Sequence, residues 1–336
     1  MKRLGSPMLA SPSMQAVPSP PPLDISWAEH WEDVRLWRVL GHLQAGFYVD
    51  VGAMDPSTDS VTKGFYERGW SGLDVEPNPY FADRLRSERP RDRVEQVAAG
   101  RERAQATMFV ITSREGEQTG LTTLEPTTAE RHEHDGSHVM DVVVDVVPLA
   151  ELMEGTPAED PSRFHFLKVD VEGHESAVLA GADLQRFRPL IILVEARAPR
   201  QMIDTYAESE AILVQAGYTP VADDGLNRWY ARSEDAGLAE VLALEVNPLL
   251  DGRPRRWWEF TRERELVGRM EELDAACQAA SREADGLREE TETLREEARV
   301  LRARLDALTR SWSWRATAPL RALRKPLRRR RTGTDA

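Results

Sequence analysis

Two kinds of hydrophobic spacing divide this chain. Between about residue 45 and residue 230, short apolar runs of strand length alternate with stretches of helical period. Phe47–Ala53 reads as a buried strand that ends in a tight turn at Gly52, and Gly72–Glu76 as a second strand tipped by a carboxylate. Helical patterns cover about 60–68 and Tyr80–Glu88, the second begun by the break at Pro77-Asn78-Pro79. Val94–Ala98 is expected to be a third strand, and Val142–Val147 a fourth leading into a short helix. Phe164–Asp170 is a strong strand followed by a helix over His174–Ala182. Leu190–Glu195 is the near-continuous apolar run of a central parallel strand. A helix over Thr205–Ala216 and a hairpin, Tyr218–Val221 with Leu226–Tyr230 around Asp223–Gly225, close the series. At its start, Trp27, Trp31 and Val34 recur at helical spacing, which predicts a helix on the domain edge. Strands and helices in this order predict an α/β fold: a Rossmann-like, doubly wound, mostly parallel sheet with ligands at its carboxyl edge.

The second spacing runs over residues 258–312. Leu266, Met270, Leu273, Cys277, Ala280, Ala284, Leu287, Thr291, Leu294, Ala298, Leu301, Leu305, Leu308 and Trp312 follow each other by four and three. This is a coiled-coil pattern, with leucine at most d positions favouring a parallel homodimer and small or polar a residues weakening it. A lone solvated helix is the alternative. The domain layout is then a Pro/Ser-rich leader over 1–23, a catalytic domain over 24–250, the coiled coil over 258–312 and a basic tail over 313–336.

Charge sharpens this layout. Of the net −13, the stretch 310–336, with nine basic residues and one acid, contributes +8 and the rest of the chain −21. So acidic a body is a poor platform for a nucleic-acid backbone, and no nucleic-acid partner is expected. The tail, which begins with Trp312 and Trp314 among arginines, suits an anionic membrane surface, with a solubilising tail as the alternative. It also resembles the Ser-Trp-Arg-containing tails of bacterial surface-polysaccharide glycosyltransferases. No apolar run reaches the ~20 residues that span a bilayer, and prolines from Pro7 onward interrupt any signal-peptide core. Cys277 is the only cysteine, which fits a reducing cytoplasm. A cytoplasmic protein, peripheral at the inner face of the membrane, is the expectation.

Chemistry concentrates where the strands end. Glu76, Asp170 and Glu195 terminate strands and Asp50 lies near the end of another, so a doubly wound sheet brings four carboxylates to one crevice. Gly52 would give a ligand backbone clearance, and Glu76 would hold a ribose diol. Asp50 would order the turn or meet an amino group of the ligand. The three-glycine fingerprint of diphosphate binding is absent, which favours S-adenosylmethionine (SAM) over a dinucleotide. In Lys168–Glu175, strand alternation would place Lys168, Asp170 and Glu172 on one side if the strand continues that far, with His174 opening the next helix. Histidine is the side chain best poised to accept a proton near neutral pH. The alternative is that Lys168 pairs with Glu172 and His174 is a surface residue. The polar segment 100–137 reads as a loop or β-insertion over the site. Its His132, His134 and His138 suggest a solvated loop more than zinc, because no cysteine or tight ligand spacing accompanies them.

Several ordered motifs resemble the FkbM family of SAM-dependent methyltransferases. They are Val49–Ala53, Asp59–Thr62, Phe65–Trp70, Glu76–Pro79, Phe166–Glu175, Val178–Gly181, Arg188-Pro189, Glu195 and Gly225–Tyr230. The resemblance spans about residues 45–250. It implies a class I methyltransferase fold and O-methylation of a sugar or other hydroxylated metabolite, with a small polyketide or peptide acceptor and a non-catalytic scaffold as alternatives. It also implies that Asp50, Gly52 and Glu76, joined by Ala53, Pro77 and Ala98, bind SAM, and that Asp170 faces the reaction centre. Asp170, Glu172 and His174 are the catalytic candidates, with His174 or Asp170 as base. Asp170 and Glu195 offer oxygen ligands if a divalent cation takes part. Met54, where asparagine often stands, and Asp74, a charge inside the second strand, depart from the family pattern.

Overall fold

The computed structural model describes residues 20–113, 118–120, 122–196 and 206–317. Most of the leader and the tail beyond Thr317 lie outside them. The chain divides into one unit from Met1 to Thr261 and a second from Arg262 to Ala336.

In chain order the first unit begins with β1 (Ile25–Ser26), α1 (Glu32–Leu40), β2 (Phe47–Val51), α2 (Lys63–Glu67), β3 (Ser71–Val75), α3 (Pro79–Glu88) and β4 (Arg93–Glu95). An insert follows: β5 (Ala98–Gly100), β6 (Ala104–Thr112), α4 (Pro126–His134) and β7 (His138–Pro148). Next come α5 (Leu149–Met153), β8 (Phe164–Val169), α6 (Glu175–Ala180), β9 (Ile191–Glu195) and α7 (Ala207–Gln215). The unit closes with β10 (Tyr218–Asp223), β11 (Asn227–Arg232), α8 (Ala236–Leu242), α9 (Pro248–Asp251) and β12 (Arg255–Arg256).

Seven strands form one sheet in the order β10-β11-β9-β8-β2-β3-β4, and only β11 runs against the others. The chain builds outward from β2 to β4, then returns to β8 on the other side of β2. That reversal opens a crevice at the carboxyl ends of β2 and β8. Period-two alternation gives the sheet two apolar faces. Phe47, Val49, Val51, Leu73, Val75, Leu167, Val169, Ile192 and Val194 share one buried cluster. Tyr48, Phe166, Ile191, Leu193, Trp37, Phe65 and Trp70 share the other. The doubly wound sheet expected from the sequence is therefore present.

Four local expectations need correction. Val94–Ala98 is not one strand: β4 stops at Glu95, and Ala98–Gly100 pairs instead with β7 in a separate three-stranded sheet, β5-β7-β6. The amino-terminal helix begins only at Glu32, because Trp31 has φ 67° and cannot continue a right-handed turn. β8 ends at Val169 rather than carrying the strand to Glu172, which has φ 55°. Finally, Lys168 pairs with Asp50 and Asp170 rather than with Glu172.

The second unit is built on α10, which runs from Trp257 to Arg310 and has no buried residue. A short helix, α11 (Trp312–Ala316), follows it. Among the described residues no helix is long and apolar enough to cross a membrane.

Candidate active site

The sheet register lays the site down in rows. Asp74 lies beside Asp50, Asp50 beside Lys168, and Lys168 beside Leu193. One row on, Val75, Val51, Val169 and Val194 are buried. Beyond the valines the chain leaves the sheet through Glu76, Gly52, Asp170 and, at the end of β9, Glu195. Convergence of these carboxylates is thus a consequence of parallel register.

A cavity of about 280 Å³ opens there, near the lower end of small-molecule pockets (~300 Å³). The structure brings Asp50, Gly52, Ala53, Glu76, Pro77 and Ala98 to its wall, together with Asp170, Glu172 and His174. The insert supplies another side through Met108, Thr119, Gly120, Thr122, Thr123 and Leu124. The histidines proposed for a solvated loop lie on α4 (His132, His134) and at the start of β7 (His138).

Gly52 is demanded by geometry. Its φ is +78°, and a Cβ there would stand 1.8 Å from the backbone oxygen of Asp170. Two chain exits therefore touch with no side chain between them. The backbone N–H of Gly52 donates to Val75 O at 2.9 Å and that of Asp170 to Val51 O at 3.0 Å. Met54, Asp59 and Glu172 also line the cavity with positive φ, a conformation that is strained for non-glycine residues and clusters at functional sites.

In the cavity wall, the ammonium of Lys168 lies 3.3 Å from both Asp50 Oδ1 and Asp170 Oδ2 and donates to Gly52 O at 3.1 Å. Burial alone lowers the Lys168 pKa, but the carboxylates of Asp170 and Asp50 outweigh it and raise it. Asp50 also accepts from Thr62 Oγ1 at 3.1 Å, and Arg89, buried at the carboxyl end of α3, donates to Thr62 Oγ1 and Ser60 Oγ. Asp74, fully buried, is pushed well up by burial, with Arg89 pulling the other way from 3.9 Å. The departure at Asp74 thus belongs to this underlying network and does not reach the cavity.

Glu76 accepts from the backbone N–H groups of Met54 (2.9 Å) and Asn78 (2.8 Å). Burial raises its pKa to about 7 against those bonds. At the other end Asp170, Glu172 and Glu195 offer one oxygen each within 4.8 Å of one another. Burial, then Asp170, raises Glu172 to about 8 and Glu195 to about 11. Three such carboxyls cannot all ionise without a proton or cation among them. His174 Nδ1 lies 3.6 Å from Glu125 Oε1, a carboxylate of the insert that no sequence pattern singles out. Arg89 was equally unmarked.

A family model described as "Methyltransferase FkbM domain" matches residues 50–220. No curated protein matches the chain. Among solved structures, a TehB-like SAM-dependent methyltransferase from Corynebacterium glutamicum matches with 10% identity and a TM-score of 0.31, over 61% of this chain and 89% of that one. A fibrillarin pre-rRNA processing protein of Methanococcus jannaschii matches with 12% identity and a TM-score of 0.31, over 58% of this chain and 70% of that one.

Proposed function

The chain belongs to the FkbM methyltransferase family, a SAM-dependent enzyme by that membership, and from this premise we propose that it methylates a hydroxyl of a sugar or glycan intermediate in surface-polysaccharide biosynthesis. The observation that carries the site assignment is the single cavity with Glu76 at one end and Asp170, Glu172 and His174 at the other.

Bound SAM supplies an electrophilic methyl group on a sulfonium. Asp50, Gly52, Ala53, Glu76, Pro77 and Ala98 would hold it, Gly52 by leaving the backbone bare and Glu76 by accepting from ribose hydroxyls. The Asp170 end would receive the acceptor and fix its oxygen for in-line approach, where most of such a rate enhancement arises. His174 takes the hydroxyl proton, and the Glu125 carboxylate steadies the imidazolium that forms. The oxygen-rich trio of Asp170, Glu172 and Glu195 also suits a hard divalent cation, which would add charge neutralisation at the acceptor hydroxyl. EDTA treatment followed by Mg²⁺ or Mn²⁺ addition, read by thermal midpoint and turnover, tests that addition.

In this setting residues 258–312 join two copies and the basic tail meets an anionic membrane surface on the cytoplasmic side. The tests are direct. SAM binding by calorimetry separates an enzyme from a scaffold. Asp170→Asn and Glu76→Ala should each abolish turnover with unchanged circular dichroism, and full activity in both would refute the assignment. Methyl transfer onto lipid-linked glycan fractions, set beside polyketide and peptide acceptors, decides the substrate class. Loss of liposome co-sedimentation on removing residues 310–336 tests the membrane contact.

A further inference from the structure

Helix α10 carries an exposed apolar stripe. Leu266, Leu273, Leu287, Leu294, Leu301 and Leu308 are each more than half exposed. Such a stripe at four-three spacing is the seam of a coiled coil. What it pairs with is written in the charges beside it.

With those leucines at d, the flanking g positions hold Arg269, Glu283, Glu290 and Glu297, and the e positions hold Asp274, Arg288, Arg295 and Arg302. Each g charge is followed five residues later by an e charge of opposite sign. Residues five apart do not face each other on one helix, where neighbours are three or four apart, so this arrangement does nothing for a lone helix. In two parallel helices in register, a g residue meets the e residue five positions on in the partner. All four contacts are then attractive and none is like-signed; the three remaining g–e pairs, Arg262 with Val267, Ala276 with Ser281 and Arg304 with Thr309, have no charge on the e side. Symmetry doubles every contact. Turning one helix round would set the arginine-bearing edge against itself and the glutamate-bearing edge against itself.

We infer that α10 pairs with the α10 of a second copy, parallel and in register, with Glu283, Glu290 and Glu297 selecting Arg288, Arg295 and Arg302 of that copy. This rests on the parallel pairing given to residues 258–312 above and adds its register and the charges that select it. It stands apart from the methyl-transfer reading. Two consequences follow from the geometry: the exposed, free Cys277 occupies an a position, so both thiols share one layer, and both basic tails leave the same end.

The test uses the full chain. Sedimentation equilibrium of E283K/E290K/E297K should show a dimer dissociation constant raised on the order of a hundredfold, six pairs each reversing by a few tenths of a kcal/mol. R288E/R295E/R302E should weaken alone as well, and an equimolar mixture of the two variants should recover the wild-type dimer. Diamide, which takes the two thiol hydrogens, should link wild type but not Cys277→Ser into a disulfide dimer. A protein that stays dimeric but fails either the rescue or the cross-link overturns the parallel in-register arrangement while leaving pairing intact. Monomer mass across the micromolar range overturns both.

Discussion

Replacing Lys168 by methionine keeps the unbranched stem and deletes the positive charge in the cavity wall. At 3.3 Å and an effective dielectric near 20, each carboxylate attracts the ammonium by about 5 kcal/mol before desolvation. The Asp50 pair is closed to water, with side chains 9% and 1% exposed, whereas 35% of the Asp170 side chain is exposed and its share is screened. Removing the cation strands Asp50 as an uncompensated buried charge, so the variant should lose about 3–5 kcal/mol at neutral pH. The sign with pH is specific. Because the folded pKa of Lys168 is raised above its ordinary 10.5, its stabilisation is complete below that value and fades only as pH climbs through the folded one. The gap between wild type and variant should therefore be flat from pH 7 to 9. Urea unfolding followed by circular dichroism at pH 7, 8 and 9 measures this. A gap under about 1 kcal/mol at pH 7, the size of an exposed pair, would refute the buried bridge.

Three further outcomes are expected. Glu76, raised by burial to about 7, accepts best when ionised, so SAM should bind more tightly as pH rises from 6 to 8 and Glu76→Gln should flatten that part of the profile; identical profiles would remove Glu76 from the ribose. Gly52→Ala must open the 1.8 Å approach to Asp170 to at least 3.0 Å, and a displacement of that size should lower kcat/KM about 100-fold, read by steady-state kinetics; near-normal values would mean that the two exits need not touch. Glu125→Gln should lower kcat roughly tenfold and shift its pH profile without changing KM for SAM, since Glu125 acts through His174; an unchanged profile would show that the pair is structural.

The residues that were legible beforehand share one property: their placement follows from alternation along a single strand. Glu76, Asp170 and Glu195 each close an apolar run and Asp50 stands one residue before the end of another, and parallel register alone carries them to one edge. Glu172 reached the cavity by another route, through a left-handed turn rather than a longer strand. Glu125 and Arg89 were invisible for a different reason. One sits at the entry of α4 within a polar segment lacking any period, and the other is an arginine buried only because Thr62, Ser60 and Pro56 gather around it. Their roles depend on partners 27 to 49 positions away (Thr62 from Arg89, His174 from Glu125), which no local pattern encodes. The division of Val94–Ala98 between two sheets likewise depends on where β7 lies.

The bare contact between Gly52 and the Asp170 carbonyl has a consequence for how this enzyme can diversify. It welds the turn after β2 to the exit of β8, so neither loop can drift without dragging the other. The far wall, drawn from the insert between β5 and β7, meets that floor through a side chain instead, where Thr123 Oγ1 donates to Glu172 O at 2.9 Å. New acceptors should be reached by rewriting Met108, Thr119, Thr122 and Leu124 while the welded floor stays as it is.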